Sequence, residues 1–477
     1  MSVAAVLRSQ AIDVGPRVAA HALNRLGFGP RPGDVRRVLA RGIERWVDDQ
    51  LHPGADPDTD TRLRGFASLS YSTTEILTRY NADNRVIGPI INEWQAAKVI
   101  RAAHSENQLQ EVLVDFWFNH FNVYFNDGFT RYSFQSYERD AIRPHVLGRF
   151  RDLLGATAAH PAMLFYLDNY LNRADTVSGG RVVAGVNENY GRELLELHTV
   201  GVDAGYTQDH VRDAARAFTG WGIDNVGNSG NFTFRAAQHD RNAKHVFGLD
   251  IPAGGNKEDG DRLLDYLATH PATARFVSWR LAQRFIADEP PARVVDRMAS
   301  TFLSTGGDIR EVVKTMVSSA EFWAEAFGSR KVKTPFEYVV GAIRAVEGQV
   351  TGVNGINTAL NSMGMPLFGS LDPTGFSNAG ERWLNPSAHL YRMNFGLDLA
   401  ANAVAGVTVN SRDLVSRFGG NPDDARSVVS TLNTEVFGGG LSSETFAAAS
   451  GIGTGGSVGV AVRAVGLVLA GPEMQVR

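Results

Sequence analysis

The chain contains no cysteine among its 477 residues. This absence excludes disulfide bonds, thiolate metal sites and a cysteine nucleophile. A metal site could use only histidine, carboxylate and other oxygen ligands. No segment approaches the run of roughly 18 apolar residues that a membrane-spanning helix needs, so we expect no membrane span.

Export signals are also lacking at the N-terminus. Residues 1–32 contain no apolar run of signal-peptide length and no twin arginine. The sequence as written therefore predicts a cytoplasmic protein. Its net charge of −4 gives no general electrostatic reason to bind nucleic acid or an anionic membrane. We expect no nucleic-acid partner, and the oligomeric state stays open.

Common catalytic motifs are absent as well. The sequence has no phosphate-binding P-loop, no H-E-x-x-H zinc helix and no G-x-S-x-G nucleophile elbow. The glycine-rich GTGGSVG near the C-terminus does not follow a convincing strand, so it gives little support to a dinucleotide site. The function must therefore be sought in less standard patterns.

Apolar residues recur at helical spacing along most of the chain. We predict a mainly α, multi-helical globular protein with long loops and at most a small β-hairpin region. Residues 1–410 are expected to form a single large helical core, with lid-like loops near 172–186 and 223–256. Residues 411–477 are expected to form a C-terminal helical segment packed on that core.

The most informative stretch is NENYGRELLELHTVG, residues 187–201, which we call the central segment. At about 100° per residue it is predicted to form one helix, with Glu193 and Glu196 bordering a narrow apolar seam. A carboxylate beside a buried seam is partly desolvated, and desolvation shifts its pKa. Glu188 and Arg192 fall on the outer face at i,i+4, where a salt bridge is expected.

Other candidates flank the central segment. Asp168 is expected at the C-terminal end of a helix, where a carboxylate opposes the helix dipole and has either a function or a loop-anchoring hydrogen bond. Asp240 lies in an ionisable stretch that suits acid, base or metal chemistry, or is a solvated loop. Trp221, between two glycines at an expected helix end, is placed to stack on a ligand or to be buried. His120 lies in an apolar stripe and is either a core or a site histidine.

Two sets of residues summarise these interpretations, with no metal ligand and no cofactor assigned. The candidate catalytic residues are Glu193, Glu196, Asp168 and Asp240. The candidate substrate-binding residues are Asn187, Asn189, Tyr190, Arg192, Trp221, His239, Lys244 and His120.

A carboxylate pair of this kind suits a glycoside-cleaving hydrolase, in which one group stays protonated and the other ionised. The expected partner is a carbohydrate or another small polar substrate. One alternative is a non-catalytic scaffold or export partner, with the central segment as a buried salt-bridge network. Another is a metal-dependent enzyme, whose candidate ligands are His120, His198, His239, Glu193 and Asp240.

Several blocks of the sequence together resemble one bacterial family, catalogued as domain of unknown function 1800. The blocks are HALNRLGFGPRPGDV, DFWFNHFNVY, NENYGRELLELHTVGV, YTQDHVRDAARAFTGW, HDRNAKHVFG, HPATARFVSWRLAQRFI, SSAEFW, KVKTPFEYV, MGMPLFG, WLNP and AGPEMQVR. They span nearly the whole chain, and the NENYGRELLELHTVG block is very specific.

The resemblance implies no established catalytic residues. Family members often resemble exported proteins and are often encoded beside sulfatase-like proteins of another uncharacterised family. The resemblance therefore implies a function in the cell envelope or on polysaccharides. This sequence departs from the family in two respects. The family commonly has a histidine where Phe118 stands, so a two-histidine metal site on that helix is not expected here. The export signal is also missing, although the resemblance leaves export open.

Overall fold

The computed structural model describes residues 3–178, 181–324, 331–453 and 458–477. The α-helices in these ranges are, in chain order, α1 (Val3–Ser9), α2 (Pro16–Arg25), α3 (Asp34–Arg41), α4 (Ile43–Leu51), α5 (Pro57–Leu63), α6 (Thr73–Ala82), α7 (Ile87–His104), α8 (Gln108–His120), α9 (Thr130–Ser136), α10 (Phe150–Ala158), α11 (Pro161–Tyr166), α12 (Asn189–Glu193), α13 (Gln208–Ala217), α14 (Glu258–Ala268), α15 (Pro271–Phe285), α16 (Ala292–Ser304), α17 (Ile309–Val317), α18 (Ala320–Ala324), α19 (Pro335–Ala345), α20 (Asn354–Ser362), α21 (Pro386–Ala400), α22 (Ser411–Arg417), α23 (Ala425–Glu435), α24 (Ser443–Ser450) and α25 (Val460–Ala470).

Shorter elements connect these helices. The strands are β1 (Thr176–Ser178), β2 (Arg181–Ala184), β3 (Trp221–Asp224), β4 (Asn231–Phe234), β5 (Lys244–Val246), β6 (Leu249–Ile251), β7 (Gln349–Val350) and β8 (Val407–Thr408). Two π-helical turns cover Tyr137–Ile142 and Leu194–His198. The 3₁₀ turns are Ala67–Ser70, Asn84–Val86, Arg143–His145, Asn169–Leu171, Ala236–Gln238, Gly380–Trp383 and Pro472–Gln475.

The predicted fold class is confirmed, because helices dominate and the strands form only small antiparallel pairs. Three of these pairs are hairpins, β1–β2, β3–β4 and β5–β6, and the fourth joins the distant strands β7 and β8. The alternation of Phe232 and Phe234 correctly predicts strand β4. No helix in the described ranges is long and apolar enough to cross a membrane.

The two predicted lid-like loops contain these hairpins. Strands β1 and β2 lie in the loop near 172–186, of which residues 179 and 180 lie outside the described residues. Most of β3–β4 and all of β5–β6 lie in the loop near 223–256. In the C-terminal part, α25 packs against α21, α23 and α24. The division at residue 410 stays a prediction.

The core is one cluster of buried hydrophobic residues that extends in sequence from Val3 to Met474. Helix α8, the aromatic stretch of the sequence, lies within it: Phe116 and Trp117 are fully buried and pack edge to face, with ring centroids 4.8 Å apart. Burial of such large rings is a major source of folding free energy. The C-terminal end of α8 therefore has a rigid support.

The central segment is not the single regular helix that the sequence predicts. Helix α12 ends at Glu193, and the chain continues as a π-helical turn to His198. The wider i→i+5 turn rotates later side chains away from the 3.6-residue spacing. Consequently Leu197, which a regular helix would place in line with the buried Tyr190 and Leu194, is only half-buried, whereas His198 is buried in the core.

Helices α12 and α13 are held close together by a glycine. A Cβ atom added to Gly191 would lie 2.7 Å from the backbone nitrogen of Ala215 in α13 and 2.9 Å from its Cα. Backbone atoms inside a helix cannot yield to such a contact without distortion. Gly191 therefore fixes the position of α12, and with it that of Glu193 two residues later.

Candidate active site

Glu193, the last residue of α12, is about half-buried. Its pKa is raised above the ordinary 4.5, first because burial removes hydration and second because the Glu196 carboxylate is nearby. The charge of Arg192 opposes this shift without cancelling it. A carboxyl group that retains its proton to a higher pH is suited to act as a general acid.

Arg192 makes ion pairs with two carboxylates on the outer face of the central segment. Its Nη2 lies 3.2 Å from Glu188 Oε2, as predicted from the i,i+4 spacing, and its Nη1 lies 3.5 Å from Glu196 Oε1. Burial raises the pKa of Tyr206 to about 12, and a hydrogen bond with Glu196 contributes. Glu196 is thus engaged by Arg192 and Tyr206. Among the described residues, no cation lies within ion-pair distance of Glu193.

Asp168 lies on the same side of α12 as Glu193. Its Oδ2 accepts a hydrogen bond from Asn189 Nδ2 at 3.1 Å, and Asn189 is one helical turn before Glu193. Asp168 also has a φ of +58°, in the left-handed region that non-glycine residues rarely adopt. Strained backbone of this kind is concentrated at functional sites. Asp168 therefore combines an anchored side chain with an uncommon backbone conformation, one that aspartate tolerates better than most residues.

The structure adds carboxylates that the sequence did not single out. Burial raises the pKa of Asp127, and the negative charge of Asp168 raises it further. Burial also raises the pKa of Tyr166, with contributions from the charges of Asp372, Asp127 and Glu193. We call Asp127, Asp168, Glu193 and Asp372 the acidic cluster, because the charges of Asp127, Glu193 and Asp372 act on Tyr166 and that of Asp168 acts on Asp127.

Hydrogen bonds hold the acidic cluster together across distant parts of the chain. The Tyr166 hydroxyl donates to the carbonyl oxygen of Leu371 at 2.6 Å. The amide of Asn122, just after α8, donates to the carbonyl oxygen of Asp372 at 2.9 Å. Beside them, Tyr170 stacks on Phe165 with ring centroids 4.8 Å apart, and its pKa is raised by burial and by Asp168 and Asp127. The cluster thus combines carboxylates with half-buried aromatic rings.

Asn187 organises the start of α12. Its backbone N–H donates to Asn172 Oδ1 at 2.9 Å, while its own Oδ1 accepts from the backbone N–H of Asn189 at 3.0 Å. These bonds satisfy backbone donors that a helix N-terminus leaves free. Asn187 therefore positions Asn189, and Asn189 in turn holds Asp168.

Five of the eight substrate-binding candidates are buried instead of exposed, namely His239, Lys244 and the three aromatic residues Tyr190, Trp221 and His120. Tyr190 and Trp221 lie in the hydrophobic core, and Trp221 begins strand β3 instead of ending a helix. His120 is buried too, with its Nε2 donating to the carbonyl oxygen of His198 at 3.1 Å. Burial holds the pKa of His120 well below 6.5. None of the three offers an open face for stacking or contacting a sugar.

Asp240, His239 and Lys244 belong to a second cluster. Burial would raise the pKa of Asp240, but two hydrogen bonds from Arg216, at 2.9 and 3.1 Å, outweigh it and lower the pKa. Lys244 Nζ lies 2.7 Å from Asp259 Oδ2, and His239 Nε2 lies 3.2 Å from the same oxygen. Asp240 is thus paired with an arginine. This pairing favours the ionised carboxylate, so Asp240 is unsuited to act as a protonated general acid.

The five candidate metal ligands do not converge. Glu193 belongs to the acidic cluster, His239 and Asp240 to the second cluster, and His120 and His198 to the aromatic core. Within the described ranges no three histidine or carboxylate side chains are arranged to hold a metal ion. The metal alternative therefore has no ligand set in this part of the chain.

Comparison with known proteins supports the resemblance seen in the sequence. Residues 21–476 match a family described as protein of unknown function (DUF1800). No curated protein and no solved structure matches the chain. The match covers nearly all of the chain, including the central segment and the acidic cluster. The chain therefore belongs to the DUF1800 family.

Proposed function

We propose that this protein is a glycoside-cleaving hydrolase whose active site is the acidic cluster. The observation that carries the proposal is the raised pKa of the half-buried Glu193, together with the charges of Glu193, Asp127 and Asp372 that act on Tyr166. Hydrolysis of a glycosidic bond requires one carboxyl group that is protonated and one that is ionised. Differing environments within a single cluster are the usual way to obtain both.

In this proposal Glu193 donates its proton to the glycosidic oxygen as the bond breaks. Asp168, whose orientation is fixed by Asn189, is the partner carboxylate that stabilises the developing positive charge on the sugar or activates water. Glu196 acts through its charge on Glu193 and does not contact the substrate.

Two tyrosines support a carbohydrate as the substrate. Tyr166 and Tyr170 are half-buried at the acidic cluster. An aromatic ring that is partly exposed can pack against the C–H face of a sugar, while the carboxylates accept hydrogen bonds from its hydroxyls. A cluster with both features fits a polar, hydroxyl-rich ligand better than an apolar or anionic one.

The proposal is tested with a panel of polysaccharides and oligosaccharides, by measuring the release of reducing ends. We expect the wild-type protein to hydrolyse at least one glycan and Asp168→Asn to be about 100-fold slower or worse, the usual scale for losing a catalytic carboxylate. Asp175→Asn is the matched control, because Asp175 is close in sequence and pairs with Arg212 outside the cluster. No release from any glycan, or an equal loss in the control, would contradict the proposal.

A further inference from the structure

A groove lined by arginines lies apart from the acidic cluster and shares no residue with it. Its cavity has a volume of about 520 Å³, and an adjoining cavity of about 710 Å³ shares Arg31, Arg37 and Arg344 with it. Arg62, Arg417 and His104 also line the first cavity. We propose that this groove binds a tetrahedral oxyanion, a phosphate or sulfate group carried by a small molecule.

The inner arginine is fixed in place before any ligand arrives. The side chain of Arg344 is almost fully buried, with its Nε donating to the Gly29 carbonyl at 2.6 Å and its Nη1 to the Ala103 carbonyl at 2.7 Å. Neutral carbonyl oxygens orient the guanidinium group without neutralising its positive charge. A preorganised guanidinium of this kind suits recognition of a phosphate or sulfate group.

One buried carboxylate, that of Asp34, makes ion pairs with three of the arginines. Asp34 makes ion pairs with Arg344 at 3.3 Å, with Arg31 at 3.5 Å and with Arg37. Because Arg31 also pairs with Glu106, Asp34 is left to balance the charges of Arg37 and Arg344, so this part of the inner wall retains a positive charge. An incoming anion would supply charge that this wall lacks.

Most of the remaining carboxylate partners are more exposed than their arginines, and the exception is Glu347, whose side chain is 27% exposed against 48% for Arg417. The Glu106 side chain is 68% exposed against 18% for its partner Arg31, and Asp58 is 67% exposed against 31% for Arg62. Exposed ion pairs contribute little free energy because water already solvates both charges. A ligand oxyanion can therefore displace these carboxylates while the arginines stay in place.

His104 supplies an unused polar atom in the same cavity. The side chain is buried and its Nε2 has no hydrogen-bond partner among the described residues. Burial, together with the charges of Arg62, Arg344 and Arg31, lowers its pKa to about 4, with Asp58 opposing. A buried nitrogen without a hydrogen-bond partner costs free energy, and a hydrogen bond to an oxygen of the ligand would remove that cost.

The test is calorimetric titration of the whole protein at pH 7 with sodium sulfate and, separately, with sodium phosphate, at ionic strength matched with sodium chloride. We expect saturable one-to-one binding of at least one anion, and the tighter of the two identifies the group. Arg37→Gln and Arg417→Gln should each weaken binding about tenfold, the scale of one charge-assisted hydrogen bond. Both side chains are largely exposed, so the variants are expected to fold.

Arg412→Gln is the matched control, since Arg412 also lies on α22 but pairs with Asp423 outside the groove. Unchanged binding in this variant, together with weaker binding in the other two, supports the proposal. Absence of saturable binding of both anions overturns it. Equal weakening in Arg412→Gln also overturns it, because anion binding would then depend only on the net charge of the protein.

Discussion

Replacing Glu193 by glutamine is expected to slow glycan hydrolysis by about 100- to 10,000-fold, the range associated with loss of a general acid. Glutamine keeps the shape of the side chain but has no proton to donate to the leaving oxygen. The measurement is turnover on the glycan that gives the highest rate with wild-type protein. Glu188→Gln is the control, because it removes a carboxylate of the same segment that is paired with Arg192.

The Glu193→Gln variant should be no less stable than the wild-type protein. The pKa of Glu193 is raised in the folded protein, so the folded state holds this proton more tightly than the unfolded state. This favourable contribution is present below the unfolded pKa and is lost as the pH rises through the folded pKa. Above the folded pKa the ionised carboxylate therefore opposes folding, and Glu193→Gln should unfold there at an equal or slightly higher temperature.

The combination of results separates an enzyme from a scaffold. A scaffold that used Glu193 in a salt-bridge network would lose stability when the carboxylate is removed. Lost turnover with retained stability supports the acidic cluster as an active site. A clear fall in the melting temperature at pH 7, with turnover unchanged, would favour the scaffold.

Removal of Asp259 is expected to destabilise the protein by about 3–5 kcal/mol, the usual cost of breaking a buried ion pair. The side chains of Asp259 and Lys244 are 2% and 0% exposed, and they join α14 to strand β5. Asp259→Ala leaves the Lys244 ammonium and the His239 ring without their carboxylate. Urea-induced unfolding at pH 7 measures the loss.

Asp261→Ala is the matched control for this prediction. Asp261 lies on the same helix, two residues later, and makes an exposed i,i+4 ion pair with Lys257. Removal of such a pair should cost less than about 1 kcal/mol. Comparable losses in both variants would show that the Asp259 carboxylate has no special role in the fold.

Local patterns in the sequence predicted much of the fold. The aromatic periodicity of residues 109–125 indicates α8, although the helix ends at His120, and Thr207, a residue type that favours helix starts, caps α13 by accepting a hydrogen bond from the His210 N–H. These features depend on neighbours three or four residues apart. Interactions of that range can be read from the chain directly.

The acidic cluster was predicted only in part. Glu193 has a local signal because it borders the apolar seam of the predicted helix, and Asp168 because it opposes the helix dipole, whereas Asp127, Tyr166 and Asp372 have no such signal. The latter residues meet only after α8, α11 and the loop before α21 have packed together. The π-helical turn after Glu193 was also missed, because a regular 3.6-residue spacing was assumed for the whole central segment. Such long-range packing cannot be read from periodicity.

The proposed role of Glu193 is tested most directly by the pH dependence of kcat/KM for wild-type protein and for Glu196→Gln. The alkaline limb of this profile reports the pKa of the general acid in the free enzyme. Because the charge of Glu196 helps to raise the pKa of Glu193, its removal should shift that limb to lower pH while activity in acid is retained. An alkaline limb at the same pH in both proteins would contradict the assignment of Glu193 as the catalytic acid.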